Sequence, residues 1–107
     1  MRIIVRWAIT HMDDVEVMAG MFRLMGDPTR LRILLACLDA PQSVGAIAAA
    51  TGASQSLVSH HLRLLRAARL VAGTREARQV FYVAADDHVR DVLRNLMHHA
   101  AEERRST

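Results

Sequence analysis

The stretch from Ser43 to about Ala68 holds two helical patterns only a few residues apart, and that spacing restricts the fold more than any other feature of the chain. Ser43 opens a short helix over Val44 to Ala50 whose stop is Thr51-Gly52, and Ser54 caps a second helix from Gln55 to about Ala68. Leu57, Val58, Leu62, Leu64 and Leu65 give the second helix its expected inward stripe. Two helices joined by a short turn containing Gly, the second with small polar residues in its first turn, form a helix-turn-helix. That unit lays its second helix in the major groove of duplex DNA.

The flanking segments complete a mainly α chain with a small β-hairpin, a winged helix-turn-helix. From Asp13, an expected N-cap, Val15, Met18, Ala19, Phe22 and Met25 form an amphipathic stripe that stops at Gly26. Asp27-Pro28 restarts the chain, and Leu31, Ile33, Leu34, Leu35 and Leu38 predict a largely buried helix ending before Pro41. Downstream, Leu70-Val71-Ala72 begins one strand and Val80-Phe81-Tyr82-Val83 forms another, with Thr74 to Gln79 at the turn between them; this hairpin is the wing. A last helix runs from about Asp86 to Glu103, and its stripe of Val89, Val92, Leu93, Leu96, Met97 and Ala100 is too broad for one small domain to cover, which predicts a dimer.

A chain of 107 residues is the size of one domain. Residues 1–11, with Ile3, Ile4, Val5 and Trp7, show no clean period; they are expected as an N-terminal arm across a partner, or as a consequence of a start upstream of Met12. Residues 12–107 make up the DNA-binding and dimerisation domain. No apolar run is long enough to cross a membrane and the first residues lack a secretory cleavage site, so a cytoplasmic location is expected. The single cysteine, Cys37, excludes an intrachain disulfide and reads as a buried small hydrophobe. All fourteen basic residues are Arg and the net charge is +3, a mild bias toward polyanions, so position must decide what the arginines do.

Position favours duplex DNA. Gln55, Ser56, Ser59 and His60 fall on the exposed face near the start of the second helix, where Gln can address adenine and His can donate to guanine or phosphate. Arg63, and beyond it Arg66 and Arg69, suit phosphates, while Arg75 and Arg78 flank the wing turn. A dimer of such modules predicts an operator with two-fold related half-sites.

The last helix carries a second constellation, Asp86-x-His88 at its start and His99-x-x-Glu102 at its end. His88 and His99 lie three turns apart, roughly 16 Å along the axis, so one chain cannot close them on one ion. Antiparallel pairing with a twin helix would bring Asp86 and His88 of one copy to His99 and Glu102 of the other, giving two four-ligand sites. Two imidazoles and two carboxylates suit zinc first, then cobalt, then nickel. His98 is rotated away from His99, and His11 has no assigned place.

Three strings together, Leu24-Met25-Gly26-Asp27-Pro28-Thr29-Arg30-Leu31-Arg32-Ile33-Leu34, Ser54-Gln55-Ser56-Leu57-Val58-Ser59-His60-His61-Leu62-Arg63-Leu64-Leu65 and Val80-Phe81-Tyr82-Val83, resemble the ArsR/SmtB family of bacterial metal-sensing repressors. The resemblance covers nearly everything from Val15 to Glu102. It implies the element order α-α-α-α-β-β-α, with a homodimer formed through the first and last helices. In one branch of the family the inducer site lies on the paired last helices as Asp-x-His, ten residues, then His-x-x-(His or Glu), a pattern that Asp86, His88, His99 and Glu102 keep. The family's cysteine-based site in the helix before the recognition helix has no counterpart in Val44 to Ala50.

The expected function is a repressor that leaves its operator when metal binds, with His99 hydrogen-bonded to a carbonyl between Ala67 and Leu70 as the link to the reading helix. The alternative is a metal-independent winged-helix dimeric repressor. A zinc hydrolase is disfavoured because a closed four-ligand site leaves no open position for substrate; neither an enzyme nor an organic cofactor is implied.

Overall fold

Each helix of the computed structural model starts or stops at a residue whose side chain or backbone satisfies the helix end; the structure describes residues 12–106, so the expected arm at 1–11 lies outside it. Helix α1 spans Met12–Met25 and carries Asp13 and Asp14 in its first turn, where negative charge complements the helix dipole. At its end the Gly26 N–H bonds the Phe22 carbonyl at 2.8 Å, and a Cβ at Gly26 would sit 3.1 Å from that oxygen. Asp27 then caps α2 (Pro28–Ala36), its Oδ2 accepting the Arg30 N–H at 3.0 Å with Pro28 in the first turn. Arg30 Nε donates back to the Leu24 carbonyl at 2.7 Å and locks the α1–α2 corner.

Strand β1 (Gln42–Ser43) precedes α3 (Val44–Thr51), which Ser43 caps through Ala46 N–H at 3.1 Å. Gly52 ends α3 in the left-handed conformation at φ 76°, which glycine adopts without steric cost, and its N–H reaches the Ala48 carbonyl at 2.9 Å. Ser54 caps α4 (Gln55–Ala67), accepting Leu57 N–H at 3.1 Å. The hairpin follows as β2 (Val71–Glu76) and β3 (Gln79–Ala84), and α5 runs over Asp87–Ser106.

The sheet has the order β1-β3-β2, antiparallel throughout. Strand β1 adds one element to the expected order: Gln42 pairs with Tyr82 and Ser43 with Phe81, which makes β3 the central strand. The wing is also tighter than expected. Strands β2 and β3 stay paired out to Glu76 opposite Gln79, leaving Ala77-Arg78 as the turn, with Ala77 at φ 55°. Arg75 therefore lies in β2 opposite Val80, not in the turn.

The core gathers around Ile33, Leu34, Ile47, Val58, Leu62 and Leu65, all fully buried. Two residues expected inward are not. Leu57 and Leu64 are 41% and 37% exposed, because at 100° per residue they fall roughly 100° or more from the centre of the buried Val58, Leu62 and Leu65 stripe. Cys37 is buried as expected, its thiol donating to the Ile33 carbonyl at 3.4 Å.

Helices α1 and α5 are incompletely covered. No residue of α1 is buried and α5 buries only Leu93, while Phe22 and Leu96 are each 51% exposed. Between the two helices lies an apolar cavity of about 170 Å³ lined by Met18, Met21, Phe22 and Met25 of α1, Leu70, and His88, Val89 and Val92 of α5. So large a shared apolar face on a small chain marks an association surface.

Candidate DNA-reading face and metal ligands

Helix α4 divides into stripes. Val58, Leu62 and Leu65 anchor it to the core, and the residues expected to meet DNA occupy an arc of about 140° on the other side. Ser56, His60 and Arg63 stand exposed in the outer part of that arc. Gln55 and Ser59, four residues apart, turn toward the wing; Gln55 Nε2 comes within 3.7 Å of where a Gly45 Cβ would be. Together with Ser43, Arg78, Gln79 and Tyr82 these two line a groove of about 450 Å³ between α4 and β3. Arg78 sits in the wing turn, and Arg75 is exposed on β2.

On the inner flank of α4 stands His61, a residue not singled out by sequence. Its ring is half-buried 5.4 Å from that of His60, and its Nδ1 is buried with no hydrogen-bond partner. Burial lowers its pKa, the Arg30 guanidinium adds to that, Asp27 partly opposes it and His60 lowers it further. Asp27 is itself held below the usual carboxylate range, mainly by the Arg30 N–H that it accepts. His61 thus lies on the flank of α4 where Arg30 and Asp27, the residues of the α2 cap, act on its charge. The adjacent pair His60-His61 was the available signal, but the sequence does not say which ring faces inward.

On α5 all four expected ligands are exposed. Asp86 stands just before the helix and caps it, Oδ1 accepting Val89 N–H at 3.1 Å, which leaves Oδ2 unengaged. The side chains of His88, His99 and Glu102 have no hydrogen-bond or ion-pair partner among the described residues. Nor does one chain gather three His, Cys, Asp or Glu side chains at any point among the described residues. Asp86-His88 and His99-Glu102 are thus two separate half-sets, and two nitrogens with two carboxylates are a donor set that zinc accepts. His98 is exposed next to His99, and His11 lies outside the described residues.

Within one chain His99 makes no hydrogen bond to the Ala67 to Leu70 carbonyls, and that of Leu70 accepts the Ala85 N–H at 3.0 Å. The structure ties α5 to the reading unit elsewhere. Arg90 Nη1 donates to the Ala84 carbonyl at 3.2 Å, Leu93 is buried, and Arg94 pairs with Asp39 ahead of β1.

Known proteins resemble this chain in sequence and in fold. The family model described as bacterial regulatory protein, arsR family, matches residues 27–72. A transcriptional repressor SmtB homolog of Synechocystis sp. is 39% identical over 94 residues, covering 88% of this chain and 71% of that protein. The solution structure of the cadmium metal-sensor CmtR of Mycobacterium tuberculosis superposes with a TM-score of 0.64 at 46% identity, covering 73% of this chain and 81% of that one. A homodimeric winged helix-turn-helix DNA-binding domain of Mycobacterium bovis superposes with a TM-score of 0.80 at 26% identity, over 87% of this chain and 86% of that one.

Proposed function

The chain belongs to the ArsR/SmtB family of bacterial regulatory proteins, and from that membership we propose that it is a metal-responsive repressor, binding operator DNA as a homodimer and released when zinc, or else cobalt or nickel, binds between its paired α5 helices. The family assignment carries the coarser part: a transcriptional regulator with a winged helix-turn-helix for DNA and a second copy across the apolar α1 and α5 faces. The metal response rests on one observation. Asp86 Oδ2, His88, His99 and Glu102 stand exposed and unpartnered on a helix that also carries much of the unburied apolar surface.

Asp86 and His88 with the partner's His99 and the partner's Glu102 would hold the ion, which would supply a bridge between the two helices. The rest of the mechanism belongs to the chain. The first turn of α5 is one hydrogen bond from the segment after the reading helix, because Ala85 N–H bonds the Leu70 carbonyl and Leu70 N–H bonds the Leu65 carbonyl at 2.9 Å. Rotation of α5 is therefore passed through Asp86, Ala85 and Leu70 to the end of α4. Two α4 helices set for neighbouring major grooves then lose that spacing. A coupling of about 1–3 kcal/mol corresponds to a 5- to 150-fold loss of operator affinity.

The test is operator retardation by metal-free dimer with zinc, cobalt and nickel added in turn, alongside His88→Ala/His99→Ala. The reading requires metal to release the wild type and to leave the variant bound. If no metal changes wild-type retention, the protein is a metal-independent repressor of the same fold.

A further inference from the structure

The groove between α4 and β3 is built for a different task from the rest of the reading face. Its walls come from four parts of the chain, Ser43 of β1, Gly45 of α3, Gln55 and Ser59 of α4, and Arg78 and Tyr82 of the wing, and none of its lining residues is acidic. The volume is about 450 Å³, open to solvent and more than enough for one phosphate group. The side chains of Arg78, Ser59 and Tyr82 have no hydrogen-bond partner among the described residues. A guanidinium, a phenol and an aliphatic hydroxyl left free around one cleft, with no carboxylate, match an anion with several acceptor oxygens.

Tyr82 is the best-held member of that set. It lies on the central strand, paired with Gln42 on one side and Gly73 on the other, so the sheet fixes its backbone on both edges. Its ring lies over Gly73, where an added Cβ would come within 3.1 Å of Cε1. A glycine paired directly across from an aromatic leaves room for the ring to lie along the neighbouring strand. Arg78, by contrast, is held only by a two-residue turn.

Resting on the DNA-binding reading above, we propose that this groove seats one backbone phosphate of the operator in each half-site, and that Tyr82 is a positioning residue donating its hydroxyl to that phosphate. The contact is to the DNA backbone and not to a base edge, so it carries no base information. It fixes the register of the reading helix through the sheet.

The test measures Tyr82→Phe against the wild type on the operator and on operators carrying single neutral methylphosphonate linkages. A hydrogen bond to a charged oxygen predicts a loss of about tenfold per protomer, hence up to about a hundredfold per dimer. One linkage position in each half-site is expected to abolish the difference between Tyr82→Phe and wild type. Non-operator duplex should lose by the same factor, since phosphates are common to every sequence. Arg78→Ala should lower the slope of log affinity against log salt by about one per protomer, while Tyr82→Phe leaves it unchanged. Gly73→Ala, which pushes the ring aside, should reproduce the Tyr82→Phe loss with circular dichroism unchanged. The proposal is overturned if Tyr82→Phe binds as the wild type, or if its deficit persists at every methylphosphonate position. Wild-type protein that retards no duplex at all would instead remove the DNA-binding reading and this one with it.

Discussion

Asp86 accepts the Val89 N–H through Oδ1 at 3.1 Å, so the residue that starts α5 is also the first of its candidate metal ligands. One carboxylate oxygen closes the helix end while the other faces solvent. Capping and coordination are therefore separable by substitution. Asp86→Ser keeps a capping oxygen and removes the carboxylate; Asp86→Ala removes both. Asp86→Ala is expected to cost about 1 kcal/mol of stability in urea denaturation of the metal-free protein, and Asp86→Ser only a few tenths. Both should weaken zinc in competition with a chromophoric chelator by about 10-fold or more, and equal stability losses would show that the cap contributes nothing.

The helices were legible in the sequence because start and stop signals are written beside them: Asp27, Ser43 and Ser54 cap the starts of α2, α3 and α4, and Gly52 ends α3. Strand β1 was not, since two residues carry no period and Gln42-Ser43 is a strand only because β3 offers an open edge. The narrow wing turn was not legible for a related reason: nothing local in Thr74 to Gln79 reveals that Ala77 accepts a positive φ and lets the ladder continue. Leu57 and Leu64 illustrate the limit of composition. Apolar identity said inward, but their angle on α4 puts them outside the buried stripe. The reading residues were legible one by one; their division into a base-facing set and a wing-facing set needed the fold, because Ser43 and Tyr82 are far from Gln55 in sequence.

Ala77 holds a left-handed conformation that an L-residue with a Cβ adopts at a cost of roughly 1–2 kcal/mol. Ala77→Gly removes that cost and adds backbone freedom to the unfolded chain, which returns part of the gain. The net expectation is stabilisation of about 0.5–1 kcal/mol, read as a higher urea midpoint with an unchanged slope. A lower midpoint would mean that the turn does not constrain the wing.

His61 makes stability depend on acid. Its pKa is lowered in the folded protein, chiefly by burial and then by Arg30, so the native state binds fewer protons than the unfolded chain below the ordinary value of 6.5. Stability therefore falls as pH drops from 6.5 through the folded pKa, and the penalty is complete below it. Asp27, also lowered, adds a separate loss that sets in only below its ordinary 3.8. Between pH 7 and pH 5, His61→Leu should flatten the decline of the urea midpoint seen in the wild type. A decline of equal steepness in the variant would exclude His61 as its source.

Cys37 gives the opposite sign at the other end of the scale. Burial pushes its thiol up from 9.0 to about 11, so the folded state resists ionisation that the unfolded chain undergoes. Its contribution is present in full below pH 9 and is lost as pH rises toward 11. At neutral pH the buried thiol should react with an aromatic disulfide reagent only through opening of the α2 region, accelerating with urea in step with unfolding. Rapid labelling of the native dimer, at the rate of a free thiol, would contradict the buried placement.

The arrangement of the metal ligands predicts complementation between two defective proteins. If Asp86 and His88 of one subunit meet His99 and Glu102 of its partner, then Asp86→Ala/His88→Ala and His99→Ala/Glu102→Ala each form dimers with no complete site. A mixed dimer differs: one of its two positions loses every ligand, while the other keeps all four. Random re-pairing of equal amounts makes about half the dimers mixed, each with one site, so about a quarter of the wild-type zinc stoichiometry should return. Unfolding and refolding the two proteins together, followed by zinc titration against a chelator, reads this directly. Return of binding in the mixture, with none in either parent, requires ligands shared across the two-fold axis. A mixture as inert as its parents would place the two half-sets out of each other's reach, and parents that bind zinc as the wild type does would take the ion off these residues altogether.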